Sequence, residues 1–159
     1  MQARHTDRKC YFEESAQSSA RYYLPYILQY HSVSNTDRIL EVGCGEGGNL
    51  KPFAQKGCVV TGIDMANVRI EQAKRFFKED GLVGNFICHD FMTFTPPVHY
   101  NDKYSIIILH DVIEHVVCKE NFIKHISCFL RPDGILFVAF PAWYMPFGGH
   151  QQICGNAIW

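Results

Sequence analysis

Between residues 38 and 140 the chain alternates short, mostly apolar runs with stretches in which apolar side chains recur every three or four positions. The runs predict strands over residues 38–42, 58–63, 84–88, 104–109 and 134–140. The stretches predict helices with one buried face over 49–56, 65–79 and 119–130, with Pro52 tolerated in a first turn and Gly57 closing it. Ile106-Ile107-Ile108-Leu109 is hydrophobic at every position, as a strand covered on both faces must be. Strands alternating with helices predict an α/β fold, an open and mainly parallel Rossmann-like sheet with flanking helices.

Ahead of this pattern, residues 13–31 read as a helix with Tyr22, Tyr26 and Tyr30 at four-residue spacing. That stripe is expected to pack on the domain, or else to form the aromatic wall of a lid. The first ten residues read as a frayed end, and residues 32–37 as a polar loop. A longer loop covers residues 93–102, with Pro96-Pro97 inside it. The expected organisation is an N-terminal helix or lid region over 1–37, a ligand-binding domain over 38–141 and an apolar tail over 142–159.

Composition narrows the functions open to such a fold. A hydrophobic fraction of 47% and a charged fraction of 19% over 159 residues fit one domain with a substantial core. Lys and Arg number 15 against 16 acidic residues, so a phosphate-gripping nucleic-acid binder is disfavoured and a small-molecule partner is expected. The seven cysteines form no CxxC pair and are expected to be reduced thiols, which points to the cytoplasm. The run over residues 135–147 is shorter than the ~18 residues of a membrane span and is broken by Pro141 and Pro146, so no membrane partner is expected.

In an open α/β sheet, ligands sit beyond the carboxyl ends of the strands. The first strand ends in Glu41-Val42-Gly43-Cys44-Gly45-Glu46-Gly47-Gly48. Its glycines satisfy both GxGxxG, a dinucleotide pattern, and GxGxG, so spacing alone leaves the ligand open. Glu41, two residues before the first glycine, suits a cationic ligand better than a pyrophosphate. Asp64 ends the second strand, where a carboxylate can accept both ribose hydroxyls. Asp90 and Phe91 follow the third strand and offer an acceptor for an exocyclic amine and an apolar ring, which suits adenine. Each of these acids alone is as readily a helix or turn cap. Together, an ammonium, a ribose and an adenine describe S-adenosylmethionine.

On these residues the sequence resembles the class I S-adenosylmethionine-dependent methyltransferases. The resemblance continues in His110-Asp111-Val112-Ile113-Glu114-His115-Val116, like the segment after strand four in the small-molecule and quinone-type branch. It extends to Leu130-Arg131-Pro132-Asp133-Gly134-Ile135-Leu136, like the turn entering strand five. It implies the strand order 3-2-1-4-5 and transfer of a methyl group to a small-molecule acceptor, with S-adenosylhomocysteine as product. It also implies that Gly43, Cys44 and Gly45 cradle the methionine moiety, with Glu41 supporting the turn or the amino group. Asp64 would hold the ribose, Met65 would pack on the adenine, Asp90 and Phe91 would flank the adenine amine, and His110 would lie near the methionine end.

His115 and His150 are the candidates for a general base, should the acceptor be a hydroxyl. Four potential ligands lie between His110 and His115, but without a recognisable metal spacing, and no metal is expected. The family's sheet continues past strand five, whereas here an apolar tail follows Pro141. A shortened domain is therefore expected, with an exposed sheet edge that favours a homodimer. The alternatives are a non-catalytic S-adenosylmethionine-binding module and a nicotinamide-dependent dehydrogenase.

Overall fold

The computed structural model describes residues 7–141. Five parallel strands form one sheet in the order β3-β2-β1-β4-β5. They are β1 (Arg38–Val42), β2 (Val59–Asp64), β3 (Asn85–Cys88), β4 (Tyr104–His110) and β5 (Leu130–Ala139). The helices are α1 (Arg8–Ser18), α2 (Leu24–Ile27), α3 (Lys51–Gln55), α4 (Asn67–Glu79) and α5 (Lys119–Ser127). The expected class and strand order are both borne out, and among the described residues β3 and β5 are the sheet edges.

The central strands explain the order, because mostly apolar strands such as β4, with its Ile106-Ile107-Ile108-Leu109 run, suit burial on both faces. On one face Ile39, Ile106 and Ile108 join Phe12, Phe76 and Phe77. On the other, Leu40, Val42, Ile107 and Leu109 join Phe122, Ile126 and Phe129. Side chains alternate between faces with a period of two, so one strand feeds both cores.

The N-terminal helix departs from expectation. It starts at Arg8, where the Asp7 side chain accepts the Cys10 N–H at 2.9 Å, so residues 7–10 are a capped helix start where a frayed end was expected; residues 1–6 lie outside the described residues. A π-helical turn, Ser19–Tyr23, joins α1 to α2 just before Pro25. Proline has no N–H to give, and its ring crowds the carbonyl four residues back, so the helix widens there. The extra residue shifts the buried face from Phe12, Ala16 and Ser19 to Leu24 and Ile27. Tyr22, Tyr26 and Tyr30 are 59%, 51% and 66% exposed, so the stripe is not buried; Tyr26 alone of the three meets the sheet, edge-on to Phe137 at 5.9 Å, with Tyr30 against it at 5.3 Å.

Several boundaries also differ, most of them by one or two residues. α5 stops at Ser127, not 130, and β5 begins at Leu130, not 134. Tyr104 pairs with Leu130 but Ile106 pairs with Ile135, so residues 131–134, with Pro132 and Gly134, bulge out of the ladder. β4 includes His110, placing this residue on the strand's last position.

Candidate functional site

The crevice opens at the carboxyl ends of β1, β2 and β4. The turn after β1 carries Gly43 at φ +71°, and a Cβ there would lie 2.5 Å from Val112 Cγ2, so both the dihedral and the close approach require glycine. The turn is internally satisfied. Gly43 and Cys44 donate their N–H groups to the Ile63 carbonyl, at 2.7 and 3.1 Å. Gly45 donates to Asp64 Oδ2 at 2.9 Å, and Gly47 to the Cys44 carbonyl at 2.8 Å.

Asp64 therefore braces the turn from β2. Its Oδ1 also accepts the Ala66 N–H at 2.8 Å, which starts the approach to α4. Glu41 is 1% exposed, and its Oε1 accepts from Asn49 Nδ2 at 2.7 Å. Burial pushes its pKa up to about 8, helped by the Asp64 charge and opposed by the Asn49 hydrogen bond. Glu41 Oε2 and Asn49 Oδ1 are buried without a hydrogen-bond partner. The same Asn49 amide lies 3.3 Å from His110 Nδ1. Tyr23 stacks obliquely over His110, centroids 5.5 Å apart, and its pKa is raised to about 12 by burial and then by Asp111 and Glu41. Asp111 follows at φ 53°, a strained position for a residue with a side chain.

Two cavities meet at Gly43. The first, about 420 Å³, is lined by Gly45, Asn49, His110 and Asp111, and is roofed by Arg8 and Tyr11 of α1. The second, about 470 Å³, is lined by Asp64, Met65, Asp90, Phe91 and Val116 among others. Each is within the size range of small-molecule sites. Glu41 sits beneath this junction, bonded to Asn49 of the first lobe, and does not itself line either cavity.

The candidate residues divide accordingly. Gly43, Gly45 and His110 belong to the first lobe, and Asp64, Met65, Asp90 and Phe91 to the second. Cys44 also belongs to the wall of the first lobe, but its side chain joins the core cluster, and burial holds its thiol well above its ordinary range. Phe91 is 5% exposed and packs against Phe122 and Phe129, so it is chiefly a core ring with an edge in the cavity wall. Asp90 Oδ1 accepts the Met92 N–H at 2.9 Å and caps a short 3-10 turn. His115 lines the second lobe and not the first. His150 and the apolar tail lie outside the described residues. Among the described residues no three His, Cys, Asp or Glu side chains gather as they would around a metal ion, and no helix is long and apolar enough to cross a membrane.

Sequence reading missed Arg8, Tyr11 and Asn49. Arg8 Nε donates to Glu46 Oε1 at 2.7 Å, with Nη2 in close contact with the same oxygen, across 38 residues of chain. The signal available was the apolar pair Phe12 and Ala16, whose helical spacing puts a buried helix over this stretch.

The sequence matches the family described as Methyltransferase domain over residues 12–147. It is 31% identical over 138 residues to a ubiquinone biosynthesis O-methyltransferase of Histophilus somni, covering 82% of this chain and 58% of that protein. The chain thus spans about half the length of the curated relatives it matches. The fold matches an S-adenosylmethionine-dependent methyltransferase of Clostridium acetobutylicum with a TM-score of 0.69 at 17% identity, over 81% of this chain and 52% of that one. It also matches PKMT2 of Rickettsia typhi, solved in complex with AdoHcy, with a TM-score of 0.65 at 23% identity, over 76% of this chain and 25% of that one.

Proposed function

We propose, from the premise that this chain belongs to the class I S-adenosylmethionine-dependent methyltransferase family, that it binds S-adenosylmethionine across both lobes and methylates a small molecule. The observation that carries the reading is the pair of cavities that share Gly43, with Asp64 braced against the turn in the second and Glu41 buried beneath their junction. The unpartnered Glu41 Oε2 and Asn49 Oδ1 are buried acceptors that suit an ammonium. The satisfied amides of Gly43, Cys44, Gly45 and Gly47 suit a pyrophosphate poorly, which speaks against a dinucleotide.

Under this reading the adenosine lies in the second lobe, its ribose on Asp64 and its ring over Met65 toward Asp90. The amino-acid end lies in the first lobe, beside His110. The cofactor supplies a methyl group already activated on a sulfonium, and the chain's own residues align it and exclude water. The oxygen methylation in the relatives' name makes a small-molecule hydroxyl the acceptor class to try first.

Calorimetric titration with S-adenosylhomocysteine, with NAD as control, tests the cofactor. Binding of the first alone is expected, and binding of NAD alone would refute the reading. Asp64→Ala is expected to weaken S-adenosylhomocysteine by ~10- to 100-fold, because it removes an acceptor of charge-assisted hydrogen bonds and the brace on Gly45. Unchanged affinity would remove Asp64 from the site.

A further inference from the structure

We propose that Met65 is a modification site, where a hydroperoxide oxidises the thioether and thereby weakens cofactor binding in the second lobe; this rests on the cofactor reading above. Met65 follows Asp64 at the carboxyl end of β2, lines that lobe and is 73% exposed. The lobe gathers exposed sulfur. Met92, 43% exposed, and the exposed Cys118 line it as well. Cys88, also exposed, stands beside Met65 and donates its Sγ–H to the Met65 carbonyl at 3.4 Å. Among the described residues lining the first lobe, the one sulfur is that of Cys44, which is buried. Oxidation of exposed sulfur therefore acts on one lobe and spares the other.

Met65 is the sulfur whose change bears most directly on the site. Its backbone is pinned on both sides, by the Asp64 bonds to the Gly45 and Ala66 N–H groups and by the Cys88 bond to its own carbonyl. The side chain therefore stays at the wall when it is modified. In the step itself, the thioether sulfur gives a lone pair to one peroxide oxygen as the O–O bond breaks. Sulfur loses two electrons and becomes the sulfoxide, and the peroxide gains them, its other oxygen leaving as water from hydrogen peroxide or as an alcohol from an organic hydroperoxide. A soft apolar side chain that suits contact with an aromatic ring becomes a polar one. The new S–O dipole also brings negative charge density to a wall that already holds Asp64 and Asp90. A bound adenosine would cover the same side chain, so cofactor and oxidant compete for Met65.

The test treats the wild-type chain, Met65→Leu and Met92→Leu with hydrogen peroxide. Oxidised residues are located by peptide mass spectrometry, and affinity for S-adenosylhomocysteine is measured calorimetrically before and after. In the wild type, Met65 sulfoxide is expected to form ahead of Met92 sulfoxide, and affinity to fall about tenfold or more, the scale of setting an unpaired polar group against an apolar face. The loss should persist after dithiothreitol, which reduces disulfides and sulfenic acids, and should be undone by methionine sulfoxide reductase. S-adenosylhomocysteine present during the treatment should slow oxidation at Met65. Met65→Leu is expected to bind about threefold more weakly from the start and to lose nothing further, whereas Met92→Leu keeps the peroxide response.

A loss that dithiothreitol reverses would belong to Cys88 or Cys118 and would overturn the proposal. So would a loss that Met65→Leu retains. Untreated wild-type protein that binds no S-adenosylhomocysteine would refute the cofactor reading and the proposal with it, whereas binding that survives full conversion of Met65 to its sulfoxide refutes the proposal alone.

Discussion

Glu41→Gln is expected to stabilise the ligand-free protein at neutral and alkaline pH while weakening its hold on S-adenosylmethionine. The Glu41 pKa rises from 4.5 to about 8 on folding because the carboxylate is buried, with Asp64 nearby. Between those values the folded state holds a proton that the unfolded state has released, so stability falls as pH rises from about 4.5 to about 8 and is flat above. At ~1.4 kcal/mol per pH unit, this amounts to about 3 kcal/mol by pH 7. Glutamine keeps the carbonyl that accepts from Asn49 and removes the proton linkage. Denaturation midpoints at pH 5, 7 and 8.5 should show the variant's advantage growing from near zero to a plateau. An advantage independent of pH would contradict the buried-acid account.

Binding should move in the opposite direction. A ligand carrying an ammonium and a sulfonium favours the charged carboxylate, so its binding releases the Glu41 proton. Wild-type affinity for S-adenosylmethionine is expected to climb toward pH 8, and Glu41→Gln to lose both that climb and about tenfold or more in affinity. A variant at once more stable and a weaker binder separates a functional acid from one that only maintains the fold.

Gly48→Ala is expected to cost about 2 to 4 kcal/mol of stability and to loosen α1. A Cβ at Gly48 would lie 2.5 Å from the Phe12 carbonyl oxygen and 2.7 Å from Ser15 Cβ, and the first of these is backbone that cannot rotate aside. Relief requires α1 to lift. That strains the Phe12 ring, fully buried 5.2 Å from Phe76, and the Ser19 Oγ bond to the Asn49 carbonyl at 2.8 Å. Gly45→Ala is the comparison. Its added Cβ meets nothing within 4 Å, so only its φ of +51° costs, about 1 kcal/mol. Denaturation of both variants, with amide exchange in α1, should show protection lost in Gly48→Ala alone. Equal effects would mean that α1 is not seated on the turn.

Much of this was readable from residues alone. The strands, the glycine turn and the acids Glu41, Asp64 and Asp90 follow from local periodicity and from their places at strand ends, because an open parallel sheet directs ligands there. The reading of Asp90 as a turn cap also held, alongside its place in the cavity wall. The tyrosine stripe was legible only in part: Tyr26 meets Phe137, but the π turn ahead of Pro25 moves the buried face to Leu24 and Ile27 and leaves all three rings more than half exposed, because a spacing rule assumes an unbroken helix.

The amino-acid sequence by itself determined the α/β class, the apolar strands at the centre of the sheet and the turn that opens the crevice, since each is encoded within a few neighbouring residues. Only the tertiary structure decided that α1 lies against that turn, that Arg8 meets Glu46 across 38 residues, and that Asn49 joins Glu41 to His110. The burial of Phe12 brings Arg8 to the turn, and the pairing of β1 with β4 brings His110 to Asn49; no local pattern of charges carries the information that these side chains will meet.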